Sequence, residues 1–213
     1  VNTDNYSPLI NHLKANEIWR GPIPDLKNLH LGAKAFDELG FAKDGSRWVA
    51  FNYKPVPSTF WPTNGSTDDV MIRLPEKFSK ASCSGNDYSH DAYIANLSLL
   101  EMAIKDLASI STPPINETAI CEDINFDGVL STVTQIQRRE FYVGDANDEK
   151  VHIMLYPVGT EFLHSVRYVG LNDSHEVVVP ARMKELRYMK KQRVLTKASL
   201  LSAYGNEHQE KID

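Results

Sequence analysis

The chain has 213 residues, 42% hydrophobic and 24% charged, which are the proportions of an ordinary folded protein and not of a disordered or fibrous one. Its formal net charge of −5 provides no basic field to attract phosphate and speaks against nucleic acid as the main partner. No apolar run reaches the length of a membrane span. The chain begins with Val1 rather than Met and shows no signal-peptide pattern, which reads as a processed end or a fragment.

In chain order, residues 8–16 read as a short helix, and Gly21, Pro22 and Pro24 then break it. Residues 33–39 read as a second short helix, ended by Gly40. The aromatic and β-branched run 47–53 reads as a strand. Residues 55–69 form a Pro- and Gly-rich loop that Phe60 and Trp61 pin to a core, and 70–74 read as a short strand. The polar stretch 79–90 reads as a loop. The strongest helix is predicted over 91–109, because Tyr93, Leu97, Leu100, Ile104 and Leu107 recur at helical spacing. Pro113 and Pro114 forbid its continuation.

The second half changes character. Residues 139–143, 151–156, 161–169 and 176–179 read as strands, 183–191 as a basic segment, and 196–204 as a helix with Thr196 as N-cap and Gly205 as its stop. The layout predicts an α+β fold with helices mainly in the first half and an antiparallel β-sheet in the second half. With no linker-like stretch, 1–213 reads as a single domain: an irregular segment 1–46, a core 47–193, and a C-terminal helix and tail 194–213.

One stretch carries a specific chemical pattern. Asp123, Asn125 and Asp127 sit at alternate positions, and Gly128 follows, as in the first half of an EF-hand calcium loop. The Val129 carbonyl and Ser131 would complete the oxygen ligands. Thr134 stands where such a loop needs a bidentate Glu, and Glu122 and Gln135 are the neighbouring substitutes, neither in register. The prolines upstream leave no room for an entering helix of EF-hand length. The pattern therefore predicts a structural calcium site rather than a regulatory one. The alternative is an Asx-rich turn.

Other candidates are weaker. Asp68 and Asp69 are a carboxylate pair suited to acid–base or metal chemistry, or simply to capping a turn and pairing with an Arg. Alternation puts Phe162, His164 and Val166 on one apolar face, where His164 reads as a core residue or as a metal or haem ligand. Cys83 and Cys121 form no CxxC or CxxCH motif; a disulfide in an oxidising compartment and two free thiols both remain open. Glycosylation sequons occur at Asn64, Asn96, Asn116 and Asn172, as composition alone would produce. No GxSxG, P-loop, Rossmann or HExxH motif occurs.

Four segments taken together, 60–75, 93–101, 159–168 and 181–188, resemble a region of large bacterial extracytoplasmic proteins that carry c-type haem motifs elsewhere in their chains. The resemblance spans roughly residues 48–193 in order, including the Asp-rich loop, and His164 matches the family's histidine position. It implies a periplasmic or secreted location, a redox partner or haem-bearing segment, haem in the full-length protein, and no catalytic residue. The chain itself lacks CxxCH. The expected function is thus a calcium-stabilised extracytoplasmic module associated with a c-type cytochrome, with neither nucleic acid nor a membrane span. The alternative is a secreted metal-dependent hydrolase using Asp68, Asp69 or Glu161.

Overall fold

The computed structural model describes residues 25–26, 28–50, 66–85, 87–178 and 183–210. In chain order its main elements are β1 (Val49–Ala50), β2 (Ser66–Arg73), α1 (His90–Lys105), β3 (Ser109–Asn116), α2 (Glu117–Ile120), β4 (Thr132–Gln137), β5 (Glu161–Tyr168), β6 (Gly170–Leu171), β7 (Val177–Val178), β8 (Met183–Lys190) and α3 (Lys197–Glu210). The described residues belong to two compact units, one from Val1–Leu74 with Thr160–Lys190, the other from Pro75–Gly159 with Lys191–Asp213.

The first unit is organised by an antiparallel sheet of order β1-β2-β5-β8. Leu163 lies opposite Met71 on one side and Tyr188 on the other. Leu26, Leu29, Ala42, Trp48, Met71 and Leu163 form the buried cluster, and Phe36, Leu186 and Tyr188 pack against it. In β5 the fully buried positions are Leu163, Ser165 and Arg167, whereas Phe162, His164 and Val166 are half-buried. The alternation is as expected, but the deeper face is the opposite one. Arg167 tolerates burial partly because its Nη2 donates to the Leu29 carbonyl.

The second unit is built on α1. Ser89 caps it, its Oγ accepting from the Ala92 amide at 3.1 Å, and Asp106 ends it in the left-handed conformation (φ 53°). Apolar residues surround most of this helix, so it is buried on most sides. Within it, buried Asn96 donates to the carbonyls of Phe78 (2.8 Å) and Val143 (3.1 Å) and accepts from the Val143 amide (2.8 Å). β3 and β4 form an antiparallel pair, with a register shift between Ser111 and Ile115. Pro113 and Pro114 lie in that shift, where a missing N–H does least harm. At Gly144 (φ 65°) a Cβ would come within 2.3 Å of the Lys80 carbonyl oxygen, so only glycine fits.

The helix-first, sheet-last arrangement is therefore wrong. Among the described residues there are three α-helices and eight strands, and the antiparallel sheets draw on the whole chain: β2 from the first half pairs with β5 from the second. Three local readings explain the difference. Residues 29–35 form a 3₁₀ segment interrupted at Gly32 (φ 58°), with Phe36 already extended, so no α-helix develops over 33–39. Residues 139–143 contribute only an isolated bridge from Phe141 to Lys150, and 151–156 contain a turn, instead of two strands. α3 runs through Gly205 to Glu210. The helix expected at 8–16, and the Phe60–Trp61 anchor, lie outside the described residues.

Candidate functional site

α2 is a single turn capped by Asn116, whose Oδ1 accepts from the Thr118 amide at 3.0 Å. Cys121 closes it in the left-handed conformation (φ 57°) and is joined to Cys83 by a disulfide with Cα atoms 6.4 Å apart. The loop 123–131 follows. Asp123 Oδ1 accepts from the Phe126 amide at 2.6 Å, and its Oδ2 from the Gly128 amide at 2.8 Å. Asn125 Oδ1 accepts from Asp127 N–H (3.0 Å), and Asp127 Oδ1 from Val129 N–H (2.8 Å). Asn125 Nδ2 donates to Asp127 Oδ2 at 2.8 Å. Positive φ at Phe126 (62°) and Gly128 (84°) gives the sharp turn that the sequence led us to expect.

The side chain that fixes this loop was not anticipated. Glu117 is fully buried, and its two carboxylate oxygens accept from the amides of Ile124 (2.8 Å) and Ser131 (2.9 Å). Its own amide donates to the Ser131 carbonyl at 2.9 Å. One carboxylate thus clamps both ends of the loop. The only signal in the sequence is an acidic residue at the start of a short helix, which is commonplace.

The two suggested substitutes for the missing Glu are committed elsewhere. Glu122 pairs with Arg139 and accepts from the Gly144 amide at 2.9 Å, while Gln135 lies in β4 opposite Ser111. Thr134 is also part of β4, so a strand leaves the loop where an EF-hand would place a helix. Among the described residues no three His, Cys, Asp or Glu side chains converge as a metal site; the loop offers two carboxylates and an amide oxygen.

Asp68 and Asp69 do not end a loop. They lie inside β2, opposite Val166 and Ser165. His164 lies between Val70 of β2 and Arg187 of β8 on the half-buried face. Arg73, which follows the Asp pair in the sequence, binds Asp25 Oδ2 (2.6 Å), Glu161 Oε2 (2.7 Å) and the Ser46 carbonyl (3.1 Å). Its guanidinium carbon lies 4.6 Å from the centre of the Trp48 ring, whose Nε1 donates to Asp25 Oδ1 at 2.8 Å. The Tyr188 hydroxyl donates to Glu161 Oε1 at 2.5 Å.

Burial alone would raise the carboxyls of Asp25 and Glu161. Hydrogen bonds from Arg73 to both, from Trp48 to Asp25 and from Tyr188 to Glu161, together with the Arg73 charge, outweigh it and hold both below their ordinary range. Burial and the bond to Glu161 push the Tyr188 hydroxyl up to about 12. A carboxyl with a depressed folded-state pKa adds stability that is complete above its unfolded value and is lost as pH falls. Glu161→Gln should therefore flatten the loss of stability below about pH 4, compared with the unmodified protein, in urea midpoints measured as pH is lowered. An acid limb of unchanged steepness would show that this network does not set it.

A model of a lipoprotein-like family matches residues 34–213. The match takes in most of the chain, which belongs to that family of lipoproteins. An uncharacterized lipoprotein of Aquifex aeolicus (strain VF5) is 34% identical over 179 residues, covering 82% of this chain and 28% of that protein. The chain thus spans little more than a quarter of the relative it matches. No solved structure matches. Family membership places the protein outside the cytoplasm. It also overturns the resemblance to proteins with c-type haem: nothing in these relationships points to cytochrome c or haem. The segments that suggested it are largely β2, α1, β5 and β8, framework pieces whose patterns carry no haem-attachment chemistry.

Proposed function

We propose that this chain is a structural module of a longer, membrane-anchored lipoprotein, cross-linked by the Cys83–Cys121 disulfide and stabilised by a calcium ion in the loop 123–131. Asp123, Asn125 and Asp127 would supply side-chain oxygens, with the Val129 carbonyl and Ser131 completing the set. The observation that carries this reading is that Asp123 and Asp127 share one exposed turn, yet among the described residues neither forms an ion pair. Each of their four carboxylate oxygens accepts one loop N–H, which leaves further lone pairs on the same turn for a cation. A site with only two carboxylates binds weakly, which suits a calcium-rich exterior.

Calcium bound to the folded state alone should raise the thermal midpoint, by an amount equivalent to about 2.7 kcal/mol at one hundred times its Kd. Asp127→Ala should abolish the rise while leaving the circular dichroism spectrum intact. Absence of any rise at millimolar calcium, or an equal rise in the variant, would leave the loop as a plain Asx turn.

A further inference from the structure

We propose that Cys83–Cys121 is a reversible redox latch on the segment 117–131, so that its reduction opens the Glu117 clamp. This inference holds with or without an ion in the loop. Both cysteines are exposed, so a thiolate can reach either sulfur. Exposed disulfides are the ones most readily reduced.

The latch sits where it has leverage. α2 has only four residues, far too few to hold a helical turn by its own hydrogen bonds. Its start is tied down by Asn116, whose amide donates to Asp91 Oδ1 at 2.8 Å. Its middle is held by Ser84 Oγ, which donates to the Ala119 carbonyl at 2.9 Å. Its end is held by the disulfide, which joins Cys121 to the 3₁₀ turn Ser82–Ser84, next to Glu122 with its bonds to Arg139 and the Gly144 amide. Glu117 is the first residue of α2 and holds both ends of the loop. Cys121 is a non-glycine residue in the left-handed conformation at the helix C-cap, where its amide donates to the Glu117 carbonyl.

Reduction breaks the S–S bond with two electrons and two protons from a dithiol reductant. The dithiol first forms a mixed disulfide with one sulfur and then leaves as its own cyclic disulfide. Two thiols remain on the protein. Without the tether the αL cap relaxes, α2 frays, and water reaches the Glu117 carboxylate. A disulfide oxidant reverses the change.

The test is a two-dimensional amide NMR spectrum of the full chain, before and after treatment with dithiothreitol and again after reoxidation. The Ile124 and Ser131 amide signals, which report the Glu117 bonds directly, should shift or broaden beyond detection on reduction and return on oxidation. Signals from Ile94 to Met102 in α1 should stay in place. The double variant Cys83→Ser/Cys121→Ser should show the reduced pattern without reductant and ignore the reagent. Unmoved Ile124 and Ser131 signals in the reduced protein would overturn the latch. Collapse of the whole spectrum would overturn it equally, because the cross-link would then be holding the fold rather than one segment.

Discussion

Replacing Glu117 with alanine should lower the unfolding free energy by about 4 kcal/mol, the sum of two charge-assisted hydrogen bonds and a buried Ile124 amide left without a partner. Urea titration should show an earlier midpoint with unchanged slope. Glu117→Gln separates charge from shape. Its amide oxygen still accepts from one backbone N–H, but its amide nitrogen meets the other as donor against donor, so we expect a loss of about 2 kcal/mol. If both variants melt like the unmodified protein, Ile124 and Ser131 find water instead, and the clamp contributes nothing.

Removing the disulfide should have a comparable effect by a different route. Cys83 and Cys121 are separated by 38 positions, so their bond withholds from the unfolded chain a loop entropy worth about 4 kcal/mol. The double variant Cys83→Ser/Cys121→Ser should unfold at a lower urea concentration. Because the freed chain exposes more surface, it should also unfold with a steeper slope, unlike Glu117→Ala. Non-reducing peptide mapping should recover one fragment containing both cysteines. Two separate thiol peptides would show that the pair is not formed.

Periodicity in the sequence revealed much of the framework. α1 overlaps the predicted 91–109, starting one residue earlier at His90 and ending at Lys105, and β5 falls within 161–169, because a single dominant spacing runs through each. Alternation in β5 revealed which residues share a face but not which face lies deeper. Arg167 looks like a solvent residue until the Leu29 carbonyl is placed beside it. Pro113 and Pro114 look like breakers, yet an irregular pairing absorbs them in β3. The loop 123–131 was legible because its turn chemistry is local. Glu117 and the Arg73 network were not legible, since their partners lie up to 88 positions away and nothing in the neighbouring residues selects them.

Asn96 carries a consequence for how this protein can be made. In a eukaryotic secretory host, oligosaccharyltransferase acts on the nascent chain at Asn-x-Ser, before folding hides the site. The Asn96 amide nitrogen that would carry the sugar is the one that donates to Phe78 and Val143, inside the buried surroundings of α1. A glycan attached there cannot be folded around. Such a host would divide the product into unmodified chains that reach the native state and glycosylated chains that never do, whereas a bacterial host faces no such division.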